Sequence, residues 1–191
     1  EAFRAIRFGY ADAVFAGGSE ATINLLSVAG FANCKALTES GDPDAASLPF
    51  DVRRAGFVMG EGAGFMVLED REHALRRGAR ILGSIAGYAH TSDAYHITAP
   101  EPTGEGAVMS MRMAMREGGV SPDDIGYINA HGTSTQLNDA CETRAVKLAF
   151  GPEQAKKVML SSTKSMMGHL LGAAGAAEAV VCALAIRNGA I

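Results

Sequence analysis

Strand and helix alternate through the second half of this sequence. Residues 125–130 (Ile-Gly-Tyr-Ile-Asn-Ala) form a short β-type run and 139–150 carries helical spacing. Residues 158–161 (Val-Met-Leu-Ser) are a second apolar run, and 168–187 reads as a long Ala-rich helix. Alternation of this kind leaves few folds open, because consecutive strands joined through a helix lie parallel with helices on the sheet faces. The right-handed crossover then brings the loop after each strand to the same sheet edge. Loops 131–136 and 162–169 are therefore predicted to be neighbours in an α/β fold.

The first half is less regular. Residues 1–8 have helical spacing without an N-cap, so the sequence reads as opening inside a helix, as an internal piece of a longer chain. Residues 13–16 (Ala-Val-Phe-Ala) are predicted to be a buried strand ending in a turn at Gly17-Gly18. Residues 57–59 and 65–68 look like strand pieces around a glycine cluster at 60–64, which implies close backbone approach. Asp70 is placed to cap a short helix ending at Gly78, and a division into 1–78 and 79–191 is expected there. Beyond it, 81–89 reads as a strand and 90–103 as a loop long enough to be functional. Residues 104–117 read as a helix whose Val108, Met111 and Met115 form a core-facing stripe.

Composition excludes several classes of function. With 34 Ala, 23 Gly and no Trp, the packing must bring backbones close together. Net charge is −4, the pI is near 5.7 and no Lys/Arg run exceeds two, which leaves no footprint for nucleic acid. Cys34, Cys141 and Cys182 are odd in number and widely spaced, unlike a disulfide scaffold or a zinc ribbon. They point to a reducing compartment, the cytoplasm, and each reads as a buried thiol. The most apolar window, 170–186, is short for a membrane span and carries Glu178 near its middle. It is predicted to be a buried core helix, and no membrane partner is expected. There is no Walker A or GxSxG motif, and Phe65 stands where a dinucleotide fingerprint needs its third Gly. No nucleotide cofactor is expected, and the His90/His96 and His131/His169 spacings fit no metal site.

One constellation does carry chemistry. His131 follows the 125–130 strand directly, at the edge where open α/β sheets bind ligands. Lys164 and His169 occupy the matching place after the next strand. Two imidazoles and an ammonium on one edge suit the stabilisation of negative charge on a carbonyl oxygen, as an oxyanion or enolate. None of the three cysteines is well placed to be the accompanying nucleophile.

At these motifs the sequence resembles the β-ketoacyl-acyl-carrier-protein synthases, above all the type II condensing enzymes of bacterial fatty acid synthesis. The resemblance runs through Phe15-Ala-Gly-Gly-Ser-Glu20, the stretch from Pro49 to Gly64, Ser92-Asp-Ala-Tyr-His96, the stretch from Asn129 to Thr135, and that from Thr163 to Gly175. It implies a thiolase-like fold of layered α-β-α-β-α type with two pseudo-symmetric halves. In that layout, 1–78 is the C-terminal part of the first half and 79–191 the N-terminal part of the second.

The resemblance also implies an activity: decarboxylative Claisen condensation of an acyl thioester with malonyl-acyl-carrier-protein, giving a 3-oxoacyl product. His131 and His169 match the two histidines that assist decarboxylation and condensation, and Lys164 matches the family's Lys beside the second. Thr133 and Thr135 match threonines that hydrogen-bond the carrier's phosphopantetheine arm, and Thr98 lies in a loop lining the same tunnel. Asp139 and Glu178 match acidic positions near the site with structural or water-ordering roles, and Arg54 a surface position implicated in carrier-protein docking. The family's nucleophilic Cys falls upstream of Glu1, so this chain alone is expected to lack condensing activity, while the intact protein is expected to be a homodimer that needs no cofactor. A polyketide ketosynthase and a non-condensing, chain-length-factor-like subunit are the alternative readings; retention of both His and of Lys164 weighs against the second.

Overall fold

A computed structural model describes all 191 residues. In chain order the elements are α1 (Ala2–Arg7), β1 (Ala13–Glu20), α2 (Leu25–Asn33), β2 (Gly62–Glu69), α3 (Arg71–Arg76) and α4 (Glu105–Gly118). They continue with β3 (Tyr127–Asn129), α5 (Gln136–Phe150), β4 (Met159–Ser161), α6 (Lys164–Met167) and α7 (Ala174–Asn188). The chain forms two compact units, neither of them one continuous stretch: Glu1–Ala21 with Glu61–Ile85 and Leu170–Ile191, and Thr22–Gly60 with Ala86–His169.

In the first unit β1 and β2 pair antiparallel over their full length, Ala13 opposite Glu69 and Glu20 opposite Gly62. The turn expected at Gly17-Gly18 is instead a continuation of the strand, and the glycines serve packing. A Cβ on Gly18 would lie 2.5 Å from the Gly172 carbonyl oxygen, and one on Gly64 would lie 2.7 Å from the Ala176 carbonyl carbon. The turn at Leu171–Ala173 and the start of α7 therefore rest directly on the sheet backbone. On the opposite face Phe15 and Phe65 stack with centroids 5.0 Å apart and, with Val67, remain exposed. The buried core helix expected at 170–186 is in fact mostly half-buried, with Ala174 the only buried residue of α7, because a two-stranded sheet covers one side of it. The stretch Leu171–Asn188, of mean hydropathy 1.3, is long and apolar enough to cross a membrane by length and composition. Asp70 caps α3 by accepting the His73 N–H at 2.9 Å, and Gly78 follows in the left-handed region at φ +69°.

The core of the second unit is the seam between α4 and α5, where Val108 and Met115 meet Ala145, Val146, Ala149 and Phe150. Burial of each large apolar side chain there contributes about 1.5–3 kcal/mol. Ile128 of β3 and Leu160 of β4 pack on this seam, which fixes the strands over α5. Residues 81–89 carry no strand pairing, contrary to the sequence pattern, because no ladder runs alongside to take their N–H and C=O groups. The part of this stretch in the second unit lies against α4: the Tyr88 N–H donates to Glu117 at 2.8 Å, and a Cβ on Gly87 would come within 2.7 Å of the Gly118 nitrogen. Cys34 is exposed at the C-terminus of α2, not buried as expected, and Cys141 and Cys182 are half-buried.

Candidate active site

β3 and β4 pair in parallel, Tyr127 opposite Met159 and Asn129 opposite Ser161. The ladder extends one step further, the Ala130 N–H donating to the Ser161 carbonyl at 2.8 Å. Parallel pairing makes both chains leave the sheet at one edge, so loops 131–136 and 162–169 are neighbours, as the alternation of elements requires. Ser162 joins them: its hydroxyl donates to the Gly132 carbonyl at 2.8 Å, and its oxygen accepts the Lys164 N–H at 3.2 Å. No side chain fits at Gly132, where φ is +41° and a Cβ would overlap Ser162 and lie 2.9 Å from Phe50 Cε2.

Lys164 is 2% exposed. Its Nζ donates to the His131 carbonyl oxygen at 2.8 Å and lies 3.5 Å from His131 Nδ1. An ammonium can only donate, so Nδ1 faces it as an acceptor and the neutral ring carries its proton on Nε2. The His169 ring stands perpendicular to that of His131, centroids 5.3 Å apart, and the Phe57 ring lies 5.2 Å from it. The backbone of His169 is bracketed, its N–H donating to Val58 O at 2.7 Å and its carbonyl accepting the Gly60 N–H at 2.9 Å. His131 is open to solvent at the cavity, yet the protein atoms packed around its ring push its pKa down to about 4, aided by Lys164 and opposed by Asp139. Burial, then Lys164, then His131 do the same to His169, also to about 4. Both rings are neutral at pH 7, so each presents one N–H and no charge.

α5 supplies the support. Asp139, 1% exposed, accepts the Phe50 N–H at 2.7 Å and stands 3.9 Å from Arg54 Nε. Glu142 receives the His131 N–H at 2.7 Å and the Gly132 N–H at 2.8 Å, one on each carboxylate oxygen, while its burial pushes its pKa up. The one sequence signal for Glu142 is its three-residue spacing from Asp139, which puts both acids on one face of a helix.

A cavity of about 1090 Å³ opens at this edge, lined by His131, His169, Thr98, Thr133 and Thr135 among others. The Thr133 and Thr135 hydroxyls are hydrogen-bonded to each other at 2.9 Å. The Thr98 backbone is held by His96, whose Nδ1 accepts the Thr98 and Ala99 N–H groups, each at 3.1 Å. Lys164 and Asp139 stand behind the lining. Arg54, expected at the surface, has a side chain only 16% exposed, its guanidinium donating to the carbonyls of Asp51, Thr135 and Gln136 at 3.0–3.1 Å. Glu178 is a half-buried residue of α7, in the other unit.

Residues 1–74 match the family model for the beta-ketoacyl synthase N-terminal domain, and residues 82–191 that for its C-terminal domain. The chain belongs to the β-ketoacyl synthase family. It is 54% identical over 189 residues to 3-oxoacyl-[acyl-carrier-protein] synthase 2 of a Synechocystis strain, covering 98% of this chain and 45% of that protein. The Staphylococcus aureus protein of the same name is 51% identical over 191 residues, covering 100% and 47%. Among solved structures, the chain superposes with TM-score 0.94 and 42% identity on a chain of a type II polyketide synthase complex, an acyl-carrier protein with its ketosynthase bound to the hexaketide. That match covers 97% of this chain and 46% of the other. A β-ketoacyl synthase from Burkholderia phymatum gives TM-score 0.88 at 37% identity, covering 98% and 44%. The fold is thus the thiolase-like α/β fold of ketosynthases, and the chain spans just under half the length of the curated β-ketoacyl synthases it matches.

Proposed function

We propose that the protein containing this chain elongates acyl groups by decarboxylative Claisen condensation on carrier-protein thioesters. The observation that carries this reading is the pair of neutral, mutually perpendicular imidazoles at the cavity, backed by the buried Lys164 ammonium. In the reaction, the bond from the malonyl α-carbon to its carboxylate breaks and CO₂ leaves. The electron pair passes to the thioester as an enolate, whose carbon attacks the acyl thioester carbonyl and expels the thiolate. Nε2–H of His131 and the N–H of His169 donate to the oxygen that becomes the enolate oxygen. Donors set in place before charge develops lose no energy to reorganisation in the transition state. A neutral imidazole also leaves the malonyl carboxylate free to depart, whereas an imidazolium would hold it by charge.

Thr133 and Thr135 hydrogen-bond the phosphopantetheine arm, and Thr98 lines the same cavity. Asp139 and Glu178 keep structural roles. Carrier-protein docking falls to this edge, where Arg54 presents what its internal bonds leave free and Arg53 beside it is 69% exposed. The thioester-forming Cys lies outside this chain; burial, then Asp93, pushes the Cys141 thiol up, away from a nucleophile's pKa. Residues 1–78 belong to the first ketosynthase half and 79–191 to the second, a division supported by the gap between the two family matches at 74 and 82. The intact protein is a cytoplasmic homodimer of fatty acid synthesis that needs no cofactor. The higher identity to the curated 3-oxoacyl synthases than to the polyketide ketosynthase supports that pathway. The test is to supply the full-length protein with an acyl thioester and malonyl-acyl-carrier-protein and to weigh the carrier species by mass spectrometry. A carrier bearing a chain longer by two carbons and a 3-oxo group is expected; unchanged malonyl carrier would refute the assignment.

A further inference from the structure

The segment 47–60 crosses the site and hydrogen-bonds to three of its residues, to the backbone of Lys164 and His169 and to the carboxylate of Asp139. The Ser47 hydroxyl donates to the Lys164 carbonyl at 2.6 Å, and the Val58 carbonyl accepts the His169 N–H at 2.7 Å. Between them, the Phe50 N–H reaches Asp139 at 2.7 Å, and Arg54 donates to the Thr135 and Gln136 carbonyls. Two further bonds end on one residue, Ser134: the Leu48 N–H donates to its Oγ at 3.0 Å, and the Gly56 N–H to its carbonyl at 2.9 Å. Ser134 is fully buried and sits at φ +68°. That is a left-handed conformation in which glycine is the unstrained choice, so a non-glycine residue there needs its side chain for something.

We propose that Ser134 is a positioning residue: its hydroxyl oxygen anchors segment 47–60 to the loop bearing His131, and so sets His131 against Lys164. The inference rests on the condensing role proposed above. Ser134 is not part of the cavity lining, so it acts through its neighbours: Thr133 and Thr135 on either side of it line the cavity, and His131 is three residues away. Without the Oγ, the half-buried Leu48 N–H loses its acceptor. The 131–135 loop is then free to relax away from Lys164, whose Nζ holds the His131 carbonyl. The charged and titratable groups facing His131 within this unit are Lys164 from α6, Asp139 and Glu142 from α5, and the His169 ring after α6. A longer separation from Lys164 alone among these weakens the repulsion that adds to burial in keeping the ring neutral.

The experiment compares Ser134→Ala and Ser134→Gly in the full-length protein, with His131→Ala alongside, by malonyl-carrier-protein decarboxylation across pH. Both Ser134 variants are expected to lose about tenfold in kcat with KM unchanged, and the acid limb of kcat to move up by about half a pH unit or more. Ser134→Gly is the sharper variant, since glycine is at ease at this φ and any loss then belongs to the missing hydroxyl. Parental kcat and acid limb in Ser134→Gly would overturn the inference, as would loss of folding in both variants, which would make Ser134 a folding residue only. Activity persisting in His131→Ala would instead overturn the reading of the site, so the two failures are told apart.

Discussion

Replacing Glu142 by Gln should destabilise the second unit by an amount that follows from two bond lengths. The carboxylate offers one oxygen to the His131 N–H at 2.7 Å and the other to the Gly132 N–H at 2.8 Å. Gln keeps one acceptor and turns an NH₂ donor toward the other N–H. Loss of one hydrogen bond to a charged acceptor costs about 1.5–3 kcal/mol, and a buried N–H left unpaired about 1–3 kcal/mol. Against this, removing a buried charge returns part of the desolvation that raises the Glu142 pKa. The net expectation is about 2 kcal/mol, which at an m-value of about 2 kcal/mol/M lowers the urea midpoint by about 1 M. Far-UV circular dichroism in urea reads the shift. Glu153→Gln, at a side chain 78% exposed, is the control and should move the midpoint by less than about 0.25 M. Equal shifts in the two variants would show that the Glu142 carboxylate does not hold the His131 loop.

Three further outcomes follow from the same geometry. Because the folded-state pKa values of His131 and His169, about 4, lie below the ordinary 6.5, the unfolded chain binds more protons between those values. Stability from the two neutral rings is therefore complete above pH 6.5 and lost as pH falls from there through about 4, which thermal melts across that window will show. Lys164→Met should raise both imidazole pKa values without returning them to 6.5, since burial is the larger cause in each; ring proton shifts followed by NMR titration report it, and unmoved values would contradict the electrostatic account. Gly64→Ala, whose Cβ would stand 2.7 Å from the Ala176 carbonyl carbon, should cost about 1–3 kcal/mol by forcing α7 off the sheet; a melting temperature equal to the parental one would show that α7 yields freely.

What the sequence made legible was local chemistry and connectivity. Alternating elements sufficed to place loops 131–136 and 162–169 side by side, because parallel pairing leaves the chain no other route. The glycines at 60–64 announced a close approach, and Gly64 lies against the Ala176 backbone. The strand expected at 81–89 failed because apolar content does not supply a hydrogen-bonding neighbour. The Gly17-Gly18 turn failed because glycine marks close packing as often as it marks a bend, and here the strand runs on past both. The small-residue surroundings of Cys34 suggest a buried thiol, yet it ends α2 exposed. In the site, His131 and Lys164 could be paired from position alone. Glu142, Ser134 and the long-range bonds of segment 47–60 could not, since each joins residues some ten to more than a hundred positions apart whose pairing only the folded chain sets.

In the proposed reaction His131 and His169 donate to the enolate oxygen as neutral rings. The most direct test is the release of CO₂ from malonyl-acyl-carrier-protein by the full-length protein, its His131→Ala variant and its His169→Ala variant. Removal of one such donor costs about 10²–10³ in rate elsewhere, and a loss of at least about 10²-fold is expected for each variant, with folding intact by circular dichroism. Decarboxylation within about threefold of the parental rate in either variant would contradict the account.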